Sequence, residues 1–237
     1  IINALINASK NGKKVHCFLE LKARFDEQNN IYWTRKLEEA GVQVDYGIWE
    51  YKVHSKICLI TRLEKGKKKL YANLSTGNFN EKTAKTYCDH TLFTSNPAIN
   101  RELKRVFRGL HKKTFYSNYQ HLIVSPTETR KKLSKLIDHE IEQAKKKKPA
   151  YIIMKMNSLT DEKMIEKLYE ASKAGVKIQL IIRGMCSLLP GIAGYSENIS
   201  VISIIDRYLE HARVYLFCNK GNDQIYLSSA DLMSRNL

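Results

Sequence analysis

The sequence has no apolar stretch approaching the roughly 20 residues that a membrane-spanning helix needs. Nothing near Ile1 has the charged region and apolar core of a cleavable leader. It therefore reads as globular, with at most peripheral association at the inner face of a membrane. Its cysteines are few and unpatterned: Cys17, Cys58, Cys88, Cys186 and Cys218 are odd in number and scattered without a C-x-x-C pair. That argues against a disulfide framework and a zinc site alike, and fits a reducing cytoplasm. Acidic residues are also short, 24 Asp and Glu against 40 Lys and Arg, for a formal net charge of +16. Such a balance builds a positive field that attracts polyanions: nucleic acid, inositol phosphates, polyphosphate or an acidic membrane surface. It names only a class of partner, since lysine clusters such as 67–69 and 145–148 are equally the mark of a solvated surface. Glycine motifs for phosphate are missing as well. Gly12-Lys13-Lys14 lacks the G-x-x-x-x-G-K-[ST] frame and no G-x-G-x-x-G occurs, so nucleotide binding rests on neither.

What is present is enough apolar material, 43% of 237 residues, for one large domain or two ordinary ones. Ile1 to Ile6 has helical periodicity without an initiator Met or a cap, and Arg235-Asn236-Leu237 brings no closing element, so a piece of a larger protein is expected. A helix closed by Gly12 is followed by the apolar run Val15 to Leu21, a strand expected in a sheet covered on both faces. A helix over Asn29 to Ala40, stopped by Gly41, leads to strands at Val42 to Tyr46 and Val53 to Thr61. A Gly-Lys turn over Glu64 to Lys69 then gives a return strand at Leu70 to Leu74. Asn96-Pro97 opens a helix to about Leu110. Ser125-Pro126-Thr127-Glu128 reads as a capping box with proline at the first helical position, and marks a second domain. Two domains are expected, at 1–121 and 122–237. In the second, Tyr151 to Met156 is a strand, Asp161 to Ala174 a helix stopped by Gly175, and Val176 to Ile182 the next strand.

The two halves repeat one another. Ala8-Ser9-Lys10-Asn11-Gly12-Lys13-Lys14-Val15 parallels Ala171-Ser172-Lys173-Ala174-Gly175-Val176-Lys177-Ile178, which alone is a common helix-to-strand junction. More telling, Val53-His54-Ser55-Lys56-Ile57 parallels Glu210-His211-Ala212-Arg213-Val214, a histidine followed two residues later by a cation and an apolar strand. In the same order, Leu74-Ser75-Thr76-Gly77-Asn78-Phe79 parallels Leu227-Ser228-Ser229-Ala230-Asp231-Leu232. Alternate side chains share a face in a strand, so His54 and Lys56 are expected to point together, as are His211 and Arg213. One such histidine would be an ordinary half-buried ring; two at equivalent places in a repeat are not.

This pattern resembles the phospholipase D superfamily, H-x-K with a downstream G-x-N, in which two halves each supply a histidine to one phosphate site. One imidazole attacks phosphorus and the other handles the leaving oxygen's proton, while Lys, Arg and Asn stabilise the remaining oxygens. The acidic residue expected after the H-x-K is absent, with Thr61 and Cys218 near those places, which disfavours ordinary phosphodiesterase chemistry.

Four longer segments are more specific. Residues 20–27 (Glu20-Leu21-Lys22-Ala23-Arg24-Phe25-Asp26-Glu27), 75–84 (Ser75-Thr76-Gly77-Asn78-Phe79-Asn80-Glu81-Lys82-Thr83-Ala84), 181–188 (Ile181-Ile182-Arg183-Gly184-Met185-Cys186-Ser187-Leu188) and 204–211 (Ile204-Ile205-Asp206-Arg207-Tyr208-Leu209-Glu210-His211) resemble the bacterial polyphosphate kinases, in order along the chain. The resemblance implies an α/β fold of two tandem phospholipase D-like domains, each a mixed β-sheet flanked by helices and related by a pseudo-twofold. It implies reversible transfer of the ATP terminal phosphate to polyphosphate, with Mg²⁺ accompanying the nucleotide, ATP, ADP and polyphosphate as partners, no specific nucleic acid, and a homo-oligomer. Carried onto this chain, it makes His54 the phosphohistidine nucleophile and His211 its partner. Arg24 and Arg183 become phosphate clamps, a role that suits the guanidinium fork. Tyr87 becomes a nucleotide contact, and Lys56, Arg213 and Asn78 further substrate contacts. Asp89 is a reasonable carboxylate to orient the nucleophilic ring. The family usually has Thr where Cys88 stands. It also has segments upstream, with another phosphate- and metal-associated arginine, and downstream, with an acidic residue near the site, so full activity is not expected of this stretch alone. No carboxylate cluster reads as a Mg²⁺ cage, in keeping with a metal held by phosphates and water. A phospholipase D-like nuclease and a non-catalytic polyanion-binding module stay open as alternatives.

Overall fold

The computed structural model describes residues 1–20, 27–48 and 51–237. In chain order the elements are α1 (Ile2–Lys10), β1 (His16–Leu19), α2 (Glu27–Glu39), β2 (Gln43–Tyr46), β3 (Lys56–Glu64), β4 (Lys67–Ser75), α3 (Glu81–Ala84), β5 (Thr91–Thr94) and α4 (Pro97–Lys112). There follow α5 (Thr129–Lys145), β6 (Tyr151–Met156), α6 (Glu162–Lys173), β7 (Lys177–Ile182), β8 (Ile199–Ile202), β9 (Arg213–Phe217) and β10 (Gln224–Ser228). The chain divides into two compact units, one of residues 1–54 and 104–116, the other of 55–103 and 117–237.

In the first unit β1 and β2 pair in parallel, His16 opposite Gln43 and Phe18 opposite Asp45. Gly12 lies in the left-handed region at φ 71° just after the α1 cap, the conformation that ends a helix without a Cβ penalty. The strand expected over Val15 to Leu21 is shorter, and Leu21 lies outside the described residues. No residue of β1 is buried, contrary to the doubly covered strand expected. The hydrophobic centre of this unit is thin, with Leu37 and Val42 its buried aliphatic side chains among the described residues.

The second unit holds two sheets. β3, β4 and β5 form an antiparallel meander, and the strands β10-β9-β6-β7-β8 a mixed sheet in which β6, β7 and β8 run parallel and β9 antiparallel to β6. The β3–β4 turn is only Lys65-Gly66, both at positive φ, the primed two-residue turn whose twist matches a hairpin. Among the described residues the strands of the first half thus form a parallel pair and an antiparallel meander. Strict alternation on β6 buries Ile152, Met154 and Met156, which stand beside Ile178, Leu180 and Ile182 of β7. Tyr215 and Phe217 of β9 continue that face, and Leu133 and Ile137 of α5 with Met164 and Leu168 of α6 cover it. Each such fully buried side chain contributes about 1.5–3 kcal/mol. α6 is fixed at its start by Asp161, which accepts from the Met164 amide at 3.1 Å and pairs with Arg130.

Two local expectations fail. α5 starts at Thr129, not at Pro126, and the capping box does not form. The Glu128 carboxylate instead accepts from the amides of Asn118 and Tyr119, and Ser125 meets the Thr129 hydroxyl. Nor are the histidines on strands: β3 begins at Lys56 and β9 at Arg213, so His54 and His211 each sit two residues before a strand, and alternation does not fix their direction.

Candidate functional site

β4 ends at Ser75, and Thr76 turns the chain. Its backbone N–H donates to the His90 carbonyl at 3.0 Å, and its hydroxyl accepts from the His90 amide while donating to Asp89 Oδ1 at 2.7 Å. A Cβ on Gly77 would lie 2.3 Å from Asp89 Oδ2, so only glycine lets the backbone pass the carboxylate. Beyond it Asn78 is exposed. The next segment is stitched to a distant part of the chain. The Cys88 amide donates to the Leu209 carbonyl, Leu209 to Thr86, and Ala212 to Cys88, all at 2.8–2.9 Å.

That seam brings His211 Nδ1 to 2.8 Å from Asp89 Oδ1, with the Tyr87 ring 5.0 Å from the imidazole at 44°. Only 7% of His211 is exposed. Burial, the largest cause, lowers its pKa, and the positive charges of Arg213 and Lys56 lower it further, against the raising effect of Asp89. The ring is therefore neutral at physiological pH. With Nδ1–H donating to the carboxylate, Nε2 carries the lone pair.

Cations surround it. Arg213 forks onto Asp231, Nε to Oδ1 and Nη2 to Oδ2 at 3.1 Å each, and its Nη1 donates to the His211 carbonyl at 2.6 Å. Arg213 and Asp231 are both buried. Asp231 also accepts from the Asn157 and Ser158 amides, and although burial opposes it, these bonds and Arg213 hold its pKa below the usual carboxylate range. Arg183 donates from Nε to the Glu210 carbonyl at 2.9 Å, and its pKa is lowered by burial and then by Arg213. Lys155 pairs with Glu210 at 3.0 Å and donates to the Ala212 carbonyl at 3.0 Å. Arg183, its charge disfavoured by burial and by the neighbouring Arg213, is the cation here that an incoming anion would stabilise most.

Of the expected residues, then, the second unit gathers His211, Asp89 and Tyr87, and sets Arg183, Arg213 and Lys56 where their charges act on that cluster. His54 belongs to the first unit, in the irregular stretch before β3. Arg24 falls outside the described residues. Asp89, expected to orient the His54 ring, meets the His211 ring. Arg213, expected to contact substrate, has three guanidinium nitrogens committed to Asp231 and a backbone carbonyl. Sequence reasoning missed the parts played by Thr76, Asp231 and Lys155, although Asp231 stands in the repeat where Asn78 stands in the first half. Among the described residues no set of oxygens is gathered as a Mg²⁺ cage; the one potential ligand group is His16, Asp45 and His111, with two nitrogens, which does not suit Mg²⁺.

A neutral, carboxylate-oriented imidazole with Arg213 and Lys56 acting on it, on a mixed α/β framework, has the chemistry suited to a protein class that handles phosphate. The comparisons narrow it. Residues 1–116 match the family model for polyphosphate kinase C-terminal domain 1, and residues 122–237 that for C-terminal domain 2. The polyphosphate kinase of Escherichia coli K12 is 47% identical over 237 residues, covering 100% of this chain and 34% of that protein. That of Staphylococcus saprophyticus is 51% identical, covering 100% of this chain and 33% of that protein. The crystal structure of polyphosphate kinase from Porphyromonas gingivalis superposes with a TM-score of 0.89 at 42% identity, covering 100% of this chain and 39% of that one. The chain belongs to the polyphosphate kinase family, and its mixed α/β architecture and tandem arrangement are those of that family's C-terminal region. It spans about a third of the length of the curated relatives it matches.

Proposed function

We propose that this chain is the phosphoryl-transfer portion of a polyphosphate kinase, catalysing reversible transfer of the ATP terminal phosphate to inorganic polyphosphate through a phosphohistidine. The observation that carries this reading is the Asp89–His211 pair under the Tyr87 ring, set among arginines. In the forward half-reaction a ring nitrogen of His54 attacks the terminal phosphorus, the bond from phosphorus to the bridging oxygen breaks, and ADP leaves. In the second half a terminal oxygen of polyphosphate attacks the same phosphorus and the N–P bond breaks. His211, its Nδ1 tied to Asp89, offers Nε2 to take or return the proton that moves as these bonds change. Arg183 and Arg24 clamp phosphate oxygens, with Lys56 and Asn78 adding donors, while Tyr87 stacks near the nucleotide. Arg213 acts by holding the His211 backbone. Mg²⁺ bound with ATP supplies neutralisation of the phosphate oxygens, and no residue described here is assigned to it. The reading includes domains at 1–121 and 122–237, a cytoplasmic location and a homo-oligomer; among the described residues no helix is long and apolar enough to cross a membrane.

The test is incubation with Mg²⁺ and γ-labelled ATP, for the chain alone and for a fusion restoring the remaining length of its relatives. An acid-labile, base-stable protein phosphate is expected, abolished by His54→Ala. A folded, nucleotide-binding fusion that takes up no label would overturn the reading. Phosphodiester cleavage without ATP would replace it with the nuclease alternative.

A further inference from the structure

Away from that cluster, in the first unit, three side chains from three elements meet. His16 opens β1, Asp45 stands on β2, and His111 lies in the last turn of α4. Register sets this up: Phe18 is opposite Asp45, and His16, two residues back, shares the Phe18 face. Asp45 Oδ2 is 2.6 Å from His16 Nε2 and 2.7 Å from His111 Nδ1, and the two rings meet edge to face at 5.0 Å. All three potential ligand atoms lie within 4.8 Å of one another. Phe18, Phe107 and Leu110 wall the recess. In the hydrogen-bonded arrangement both rings turn N–H toward one carboxylate oxygen. Shifting each ring to its other tautomer turns the same two nitrogens into lone-pair donors aimed at the same place.

We propose that His16 Nε2, Asp45 Oδ2 and His111 Nδ1 form a binding site for a transition-metal dication of the zinc type. Two imidazoles and one carboxylate suit Zn²⁺, Co²⁺ or Ni²⁺ and not Mg²⁺ or Ca²⁺, which prefer an all-oxygen shell. Tetrahedral metal–ligand bonds of about 2.0–2.2 Å put ligand atoms roughly 3.3–3.6 Å apart, so the two contacts to Asp45 must open by under about 1 Å while the two ring nitrogens, within 4.8 Å of one another, settle at a like spacing. Three protein ligands leave a position for water. The apolar wall covers one side of the site, while both imidazoles stay open to solvent and a metal can enter from there. Such a site would also tie β1 and β2 to the end of α4 in the unit with the thinner hydrophobic centre, a setting in which a metal contributes folding energy.

The test is calorimetric titration of the reduced, chelator-treated chain with ZnCl₂, together with the absorption spectrum of the Co²⁺ complex. One saturable site per chain is expected, weakened at least about 10-fold in His111→Asn and in Asp45→Asn, since loss of even an outer-shell partner costs that much. His16→Asn, at the exposed start of β1, is a further variant, with the folding of each variant checked by its urea midpoint. The Co²⁺ spectrum should show d–d bands of nitrogen and oxygen ligands. Absence of saturable binding, unchanged affinity in all three folded variants, or a thiolate-to-cobalt charge-transfer band would each overturn the proposal.

Discussion

His211 is held neutral by its surroundings and aimed by one carboxylate, and these two effects pull its pKa in opposite directions. Replacing Asp89 by Asn removes the raising contribution and keeps the shape. The His211 pKa, followed by NMR of the ring protons, should fall further below its already lowered value, and the rate of phosphohistidine formation should drop about 100-fold or more, the scale of a lost acid–base arrangement. If the ring titrates unchanged, Asp89 does not orient it. At this scale the sequence was half legible. His211 stood out through the repeat, and Tyr87, Arg183 and Asp89 only once the resemblance to the polyphosphate kinases was taken into account. Which imidazole Asp89 would serve was not legible, because positions 89 and 211 meet only through a seam of backbone hydrogen bonds between segments with no pairing signature. The cluster of His16, Asp45 and His111 was invisible for the same reason: its members are 29 and 66 residues apart and share no local pattern.

Among the elements, β9 depends on a polar lock at its first residue. Arg213 and Asp231 are buried and bonded in fork fashion, and Asp231 also ties down the end of β6 through Asn157 and Ser158. Asp231→Ala leaves a guanidinium buried without its counter-ion, and should cost about 3–5 kcal/mol in urea denaturation. A loss below about 1 kcal/mol would mean that water reaches the pair freely. β6, α6 and β7 were readable almost to the residue, because alternation, the Asp161 cap and Gly175 all agree. The start of α5 was not, because Glu128 had two uses available. A capping box needs its carboxylate turned back on the helix, whereas the amides of Asn118 and Tyr119 claim it from outside. The histidines were placed on strands because an apolar run follows each, yet both strands begin only at the cation two residues on.

Across the whole molecule, buried groups make stability depend on pH, most of them lowering it as pH falls. His211 has a lowered pKa, so the unfolded chain binds a proton more readily, and its contribution is lost as pH falls below 6.5. Asp231 and Asp161, depressed below 3.8, contribute fully above that value and are lost as pH falls through their folded pKa values. Glu140, raised by burial, acts the other way and offsets part of this. Urea midpoints should therefore decline in two steps as pH falls, the first below 6.5 from His211 and the second below 3.8 from the two aspartates, and the first step should vanish in a folded His211→Asn variant. A midpoint without the step below pH 6.5 would contradict the burial of the ring.

The seam from Thr86 to Cys88 against Leu209 to Ala212 carries a further consequence for inheritance. One lip lies in the stretch matched by the first family model and the other in the stretch matched by the second. Neither stretch owns a complete cluster, so a chimera exchanging one of them between relatives must find a compatible opposite lip, and drift on one side sets the terms for drift on the other.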